Sequence, residues 1–166
     1  MALSIRQKFD RLDQKILAAL QRNARISKTQ MSNEVGLSAT RCAERMQRLE
    51  KSQIIRGYHA DLDLRLLAHL SYYIAQVRLF ETTPPKMKQF EQAILGIDEI
   101  IACEAVLGSV DYILTVVAPN TEAFQSIMDN LSVKESVRFD FTTFPVAKHV
   151  KFAHSLPLTS LLEEAK

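Results

Sequence analysis

The residues best equipped for chemistry in this chain are cations and small hydroxyls on one short stretch. Ser38, Thr40, Arg41, Arg45 and Arg48 stand together, with Lys28 and Thr29 just before them. Guanidinium forks bind phosphate oxygens or the guanine edge through paired hydrogen bonds, and hydroxyls donate to phosphate. That chemistry grips a polyanion and leaves it unchanged. The groups that catalysis or metal binding would need are scattered. His59, His69, His149 and His154 share no ligand spacing, so no metal site is expected. Cys42 and Cys103 are too far apart for a CxxC pair. Glu104 and Asp111 lack the third group that acid–base work would require. Only four glycines occur, and the closest two, Gly96 and Gly108, are twelve residues apart. A dinucleotide fingerprint or P-loop needs them within a few residues, so no nucleotide cofactor is expected.

The charge is unevenly placed. Residues 1–60 hold twelve Lys and Arg against five Asp and Glu, a net of +7. Residues 61–166 hold nine against fourteen, a net of −5. Such asymmetry implies two units with different partners, and a basic segment of this size suits nucleic acid. All five prolines follow residue 83. The expected division is a DNA-binding unit at 1–60, a linker at 61–70, a second unit at 71–154 and a tail at 155–166. No apolar run reaches 18 residues, and the first nine lack the apolar core of a signal peptide, so a cytoplasmic protein without membrane contact is expected.

The elements that must carry the cations read as three helices. Asp10 caps the first, whose Leu12, Ile16, Leu17 and Leu20 recur at helical spacing. Ser27 and Gln30 form a Ser-x-x-Gln capping box, with Ile26 and Met31 at the positions of a hydrophobic staple. This second helix turns Met31 and Val35 inward and ends at Gly36. Ser38 caps the third, which places Cys42, Met46 and Leu49 on one stripe and Arg41, Glu44, Arg45 and Arg48 outside it. Two short helices about a Gly-containing turn describe a helix-turn-helix. The start of the second of these enters the major groove, so Thr40 and Arg41 are expected at base edges. Ser38, Arg45 and Arg48 are expected at phosphate or base, and Lys28 and Thr29 at a phosphate on the preceding helix start. Ile54 to Tyr58 read as strand, turn and strand, a wing.

The second unit reads strand, helix, strand, strand, helix, strand, the ferredoxin-like βαββαβ order. Tyr73, Ala75, Val77 and Leu79 alternate on the first strand. Thr83 caps a helix with Pro84 at its first position, and Met87, Phe90 and Ile94 form its inner stripe before Gly96. Ile101, Cys103, Ala105 and Leu107 alternate next, followed by a turn at Gly108 to Val110 and a strand of Tyr112, Leu114 and Val116. Thr121 begins a helix turning Phe124, Ile127, Met128 and Leu131 inward, and Val137, Phe139 and Phe141 open a last strand that breaks near Pro145. Ile74, Phe80, Ile100, Val106, Ile113 and Val117 fall on the face without helices. An apolar face of that size predicts burial against a second copy, a sheet-to-sheet dimer. Leu158, Leu161, Leu162 and Ala165 have helical spacing in the tail.

Residues 12–58 resemble the DNA-binding domain of the leucine-responsive/asparagine-regulator (Lrp/AsnC) family. The likeness rests on Leu12-Asp13, Ile16-Leu17, Asn23 to Ser27, Val35 to Ser38, Cys42, Arg45, Arg48 to Glu50 and Ile54 to Tyr58. Residues 71–154 resemble its effector domain, through Glu104, Gly108, Asp111-Tyr112, Pro119 and Val150-Lys151. The resemblance implies a transcriptional regulator, a homodimer assembling into an octamer or similar ring, and an amino-acid effector between dimers. In the implied pocket Asp111 takes the ammonium. Backbone amides around Gly108 and Ser109, or the helix start at Thr121, take the carboxylate, and Thr143 and Phe144 close the site from a neighbouring dimer. A turn residue bonding its own hairpin is the other reading of Asp111. Most relatives have prolines where Ala39 and Arg41 stand, implying a different operator, and an acidic residue where Ser109 stands, so the resemblance does not fix which effector is bound, or that one is. The alternative function is a metabolic enzyme or allosteric amino-acid-sensing subunit whose basic unit docks a protein. That reading calls for a nucleophile with its base, or a cofactor loop.

Overall fold

A computed structural model describes residues 10–63, 69–134, 138–151 and 156–158. The described residues fall into two compact units, one holding 10–61, the other 62–63, 69–134 and 138–150. The tail positions Leu161, Leu162 and Ala165, and Val137 ahead of the last strand, lie outside the described residues.

The first unit holds α1 (Arg11–Arg22), α2 (Lys28–Val35) and α3 (Ala39–Lys51). Each helix start is fastened by a side chain. Asp10 Oδ1 accepts from the Leu12 and Asp13 amides, both at 2.9 Å, and Asp13 Oδ2 accepts from the Asp10 amide in return. Ser27 and Gln30 make the expected reciprocal pair at 3.2 and 3.1 Å. Ser38 Oγ accepts from the Arg41 amide at 3.3 Å. Gly36 ends α2 at φ +77°, a left-handed conformation that a Cβ disfavours. Ile16, Ala19, Leu20, Met31, Val35, Cys42 and Leu49 form the buried core of this unit.

The expected wing is absent among the described residues. The amides of Ile54 and Ile55 both donate to the Leu49 carbonyl, at 3.0 and 3.2 Å, closing the end of α3. Gln53 reverses the chain at φ 58°, and both isoleucines pack on the helical core. Amides engaged in closing a helix are not available to a strand ladder.

The second unit holds β1 (Ser71–Leu79), α4 (Pro84–Ile94), β2 (Ile100–Ala105), β3 (Tyr112–Ala118), α5 (Thr121–Lys134) and β4 (Phe139–Pro145). The antiparallel sheet has the order β2-β3-β1-β4, the ferredoxin-like arrangement. One face meets α4 and α5 over Tyr73, Ala75, Val77, Leu79, Leu114 and Val116, with Phe90 and Phe124 wholly buried above them. The ring centroids of Tyr73 and Phe124 stack at 4.6 Å.

Three local expectations are corrected. The register of β2 shifts between Ile100 and Ala102, so Ile100 pairs with Val116 in the core and Ile101 faces out, the reverse of simple alternation. β2 ends at Ala105, leaving Leu107 fully exposed on the hairpin. Thr83 stands in the cap position of α4 without a side-chain cap bond, and the second helical residue, Pro85, has no amide to offer it.

The open face is consequently more mixed than expected. Ala102, Thr115, Ile74 and Phe144 form one cross-strand row, and Glu104, Ile113, Gln76 and Thr142 the next.

Candidate nucleic-acid interface and effector site

The helix-turn-helix divides its cations into two sets. Asp13 is 1% exposed, a carboxylate set into the core of a basic unit. Arg45 Nη1 donates to its Oδ1 at 2.8 Å and to Asp10 Oδ2 at 2.7 Å, while Arg48 Nη2 donates to Asp13 Oδ2 at 2.6 Å. These two arginines, expected on DNA, also tie α3 to α1, and Arg48 keeps 49% of its side chain exposed while doing so. Burial pushes the Asp10 carboxyl up, but the Asp13 amide and the Arg45 guanidinium outweigh it and hold the group below the ordinary carboxylate value. Asp13 was not singled out as a site residue in the sequence, although 13, 16 and 20 share a helical stripe that marked it as inward.

The remaining cations and hydroxyls face solvent, as does half of Arg48. Lys28, Thr29, Ser38, Thr40 and Arg41 are all exposed. A groove of about 470 Å³ brings Lys28 at the start of α2 to the same surface as Thr40, Glu44 and Gln47 of α3. The start of a helix carries partial positive charge and unpaired amides, which suits phosphate beside Lys28.

In the second unit the structure brings together Gly108, Ser109 and Asp111 on the β2–β3 hairpin. Gly108 has φ +157°, and a side chain there would meet nothing within 4 Å, so conformation rather than crowding favours glycine. The Ser109 carbonyl accepts from Arg78 Nε at 3.0 Å and Nη2 at 2.6 Å. Asp111 Oδ2 accepts from the Leu79 amide at 2.8 Å, and the Asp111 amide donates to the Val77 carbonyl at 2.9 Å. Asp111 thus fastens the hairpin to the end of β1, a bond to a neighbouring strand that the turn reading did not include. Arg78 was missed in the sequence; its position on the open face of β1 was its only signal.

The other expected effector residues lie elsewhere in the same protomer. Thr121 begins α5 at the far end of β3, about 20 Å from the hairpin by strand geometry. Its Oγ1 is 3.4 Å from the Tyr73 hydroxyl, and the α5 start is capped by Asn120, whose Oδ1 accepts from the Ala123 amide at 2.8 Å. Thr143 is half-buried on the helix side of β4, whereas Phe144 is exposed on the open face. One protomer therefore does not assemble the six residues into one pocket.

Among the described residues, no group of three His, Cys, Asp or Glu is placed to hold a metal ion. Burial, then Glu104 and Glu91, pushes the Cys103 thiol up to about 11, which keeps it protonated and unreactive near neutral pH. No helix of the described residues is long and apolar enough to cross a membrane.

A basic helix-turn-helix unit on a chain with a separate ferredoxin-like unit defines a class, the DNA-binding regulator with its own ligand domain. An AsnC-type helix-turn-helix domain matches residues 9–50, and an Lrp/AsnC ligand-binding domain matches residues 73–156. The leucine-responsive regulatory proteins of Klebsiella pneumoniae and Escherichia coli K12 are each 33% identical over 148 residues, spanning 89% of this chain and 90% of theirs. An AsnC-family transcriptional regulator from Agrobacterium tumefaciens is 28% identical, with a TM-score of 0.84 over 92% of this chain and 99% of its own. A Neisseria meningitidis transcriptional regulator solved as a complex with L-methionine is also 28% identical, with a TM-score of 0.83 over the same shares. The chain belongs to the Lrp/AsnC family of transcriptional regulators. These relatives are regulators, not enzymes, which sets aside the alternative of a metabolic enzyme.

Proposed function

We propose that this regulator acts in the cytoplasm as a homodimer or a ring of dimers, reading operator DNA with the first turn of α3. Thr40 and Arg41 meet base edges, and Ser38, Lys28 and Thr29 meet phosphates. The observation that carries this reading is the exposure of these five residues while Arg45 and Arg48 are engaged by Asp13. The ion pairs hold α3 at a fixed angle on α1, so the exposed turn is presented by a rigid support.

The effector reading rests on the hairpin. Gly108 and Ser109 offer backbone amides, and Asp111 a carboxylate with one oxygen already on the Leu79 amide, on a turn held by Arg78, features that match the carboxylate and ammonium of a free amino acid. Thr143, Phe144 and Thr121 would reach such a site only from a neighbouring dimer. The Neisseria relative makes L-methionine the first effector to test. Binding to assembled dimers would bias the ring, and DNA would alter effector affinity by the same factor.

Mobility shifts on duplex DNA from upstream of the chain's own gene test the reading. Binding should weaken with salt at a log–log slope of about −0.9 per phosphate neutralised. Arg41→Ala should lower discrimination between operator and random duplex by about 1–3 kcal/mol. Equal discrimination by the two proteins would remove Arg41 from base reading. A thermal-shift panel of the twenty amino acids tests the effector, since a ligand that binds only the folded state raises its stability.

A further inference from the structure

The face of α3 opposite its core carries an acid among its exposed residues. At 100° per residue, Cys42, Met46 and Leu49 lie on one side, and Arg45 and Arg48 turn toward α1. Thr40, Glu44, Gln47 and Lys51 form the opposite stripe at intervals of four, three and four, and all four are exposed. Among the described residues the Glu44 side chain enters no ion pair or hydrogen bond, although four arginines and lysines share its helix. It lies in the groove with Thr40 and Lys28, one turn beyond Thr40 and on the same side.

We infer that Glu44 determines sequence specificity by accepting a hydrogen bond from the N4 amine of a cytosine in the major groove. The inference rests on the regulator reading above. A carboxylate is an acceptor only. Guanine presents two acceptors in the groove, thymine an acceptor and a methyl, and adenine an acceptor beside its donor. Cytosine alone presents a donor with no acceptor on the same base edge. A carboxylate also repels phosphate at every site, so Glu44 lowers affinity for DNA in general and recovers it where a cytosine faces it. Specificity of this kind depends on the repulsive element as much as on the attractive one. An acid on the groove-facing stripe of a unit with net charge +7 fits that use.

The test is selection from a randomised duplex library by the full-length protein and by its Glu44→Ala and Glu44→Gln variants. The wild type should enrich a motif with cytosine at one position of each half-site. That preference should fall at least about fivefold in Glu44→Ala and move toward adenine in Glu44→Gln, because an amide pairs with the adenine edge. Affinity for non-operator duplex should rise in both variants as repulsion is removed. Unfolding midpoints should stay at the wild-type value, since the side chain is exposed. The same motif from all three proteins, or a wild-type motif without a cytosine at a position sensitive to residue 44, overturns the assignment and leaves the regulator reading intact. A wild type that enriches no sequence overturns both.

Discussion

Asp13 shows how one buried charge organises a basic surface. Taking a carboxylate out of water is costly, and two guanidinium groups with a backbone amide offset that cost here. Removing the cations and leaving the acid should be worse than removing all three. Arg45→Ala with Arg48→Ala is expected to cost about 3–5 kcal/mol, because a buried carboxylate is left unpaired. Adding Asp13→Leu should recover part of the loss. Urea unfolding of the double and triple variants decides it, and a triple variant no more stable than the double would mean that desolvation is not the main term. The sequence showed three arginines on α3 and an acid on the inward stripe of α1, but not their pairing across 32 residues. Which arginine is paired with Asp13 depends on how two helices cross, and no local pattern encodes that. Two acids also set pH limits. Asp10 lies below its ordinary value of 3.8, so its contribution is complete above that pH and is lost as pH falls further. Cys103 lies up to about 11 against an ordinary 9.0, so its stabilising effect is present below pH 9 and is lost as pH rises through 11. Cys103→Ala should flatten the fall in stability across that alkaline window, as followed by chemical unfolding at successive pH values.

At the scale of elements, each helix boundary in the first unit depends on one or two side chains. Gly36 at φ +77° should tolerate alanine poorly, at a cost of about 1–2 kcal/mol, even though a Cβ there would touch nothing. Ser27→Ala should cost about 1 kcal/mol through loss of the cap. Denaturant midpoints read both, and Gly36→Asn should be milder than Gly36→Ala because asparagine enters the left-handed region more readily. These boundaries were legible because caps and αL glycines act within four residues of themselves. The same holds for the inner stripes of α4 and α5 and for the alternation on β1 and β3. The wing was not legible, since Ile54 and Ile55 read as strand residues by type while their amides close α3. Nor was the exchange of Ile100 and Ile101, because a bulge inverts the faces that alternation assigns. The turn at Gly108 to Val110 was legible from the break between two alternating strands, but its effector role came only from the family resemblance. Their separation from Thr121 follows from strand direction, which sends the two ends of β3 to opposite edges of the unit.

The whole molecule poses the question of what covers the open face of the sheet. Its middle row of Ala102, Thr115, Ile74 and Phe144 is apolar apart from one hydroxyl, and Glu104, Arg78 and Asp140 lie toward its margin. The next row adds Gln76 and Thr142 beside Ile113, so the face has an apolar stripe with polar and charged neighbours, a pattern that an interface between copies can bury. Two sheets stacked about a twofold axis would bury each row against its copy and join two helix-turn-helix units in one particle. Ile74→Lys tests this without touching the helix-side core, because Ile74 alternates with the buried Tyr73 and Ala75. Light scattering should show the variant at the mass of one 18.8 kDa chain, with its circular dichroism unchanged. Its affinity for a two-half-site operator should fall toward that for a single half-site, since the second contact is no longer intramolecular. A variant that keeps the mass of the wild-type assembly would place the interface elsewhere, and a folded monomer that still binds both half-sites cooperatively would mean that DNA itself brings the two copies together.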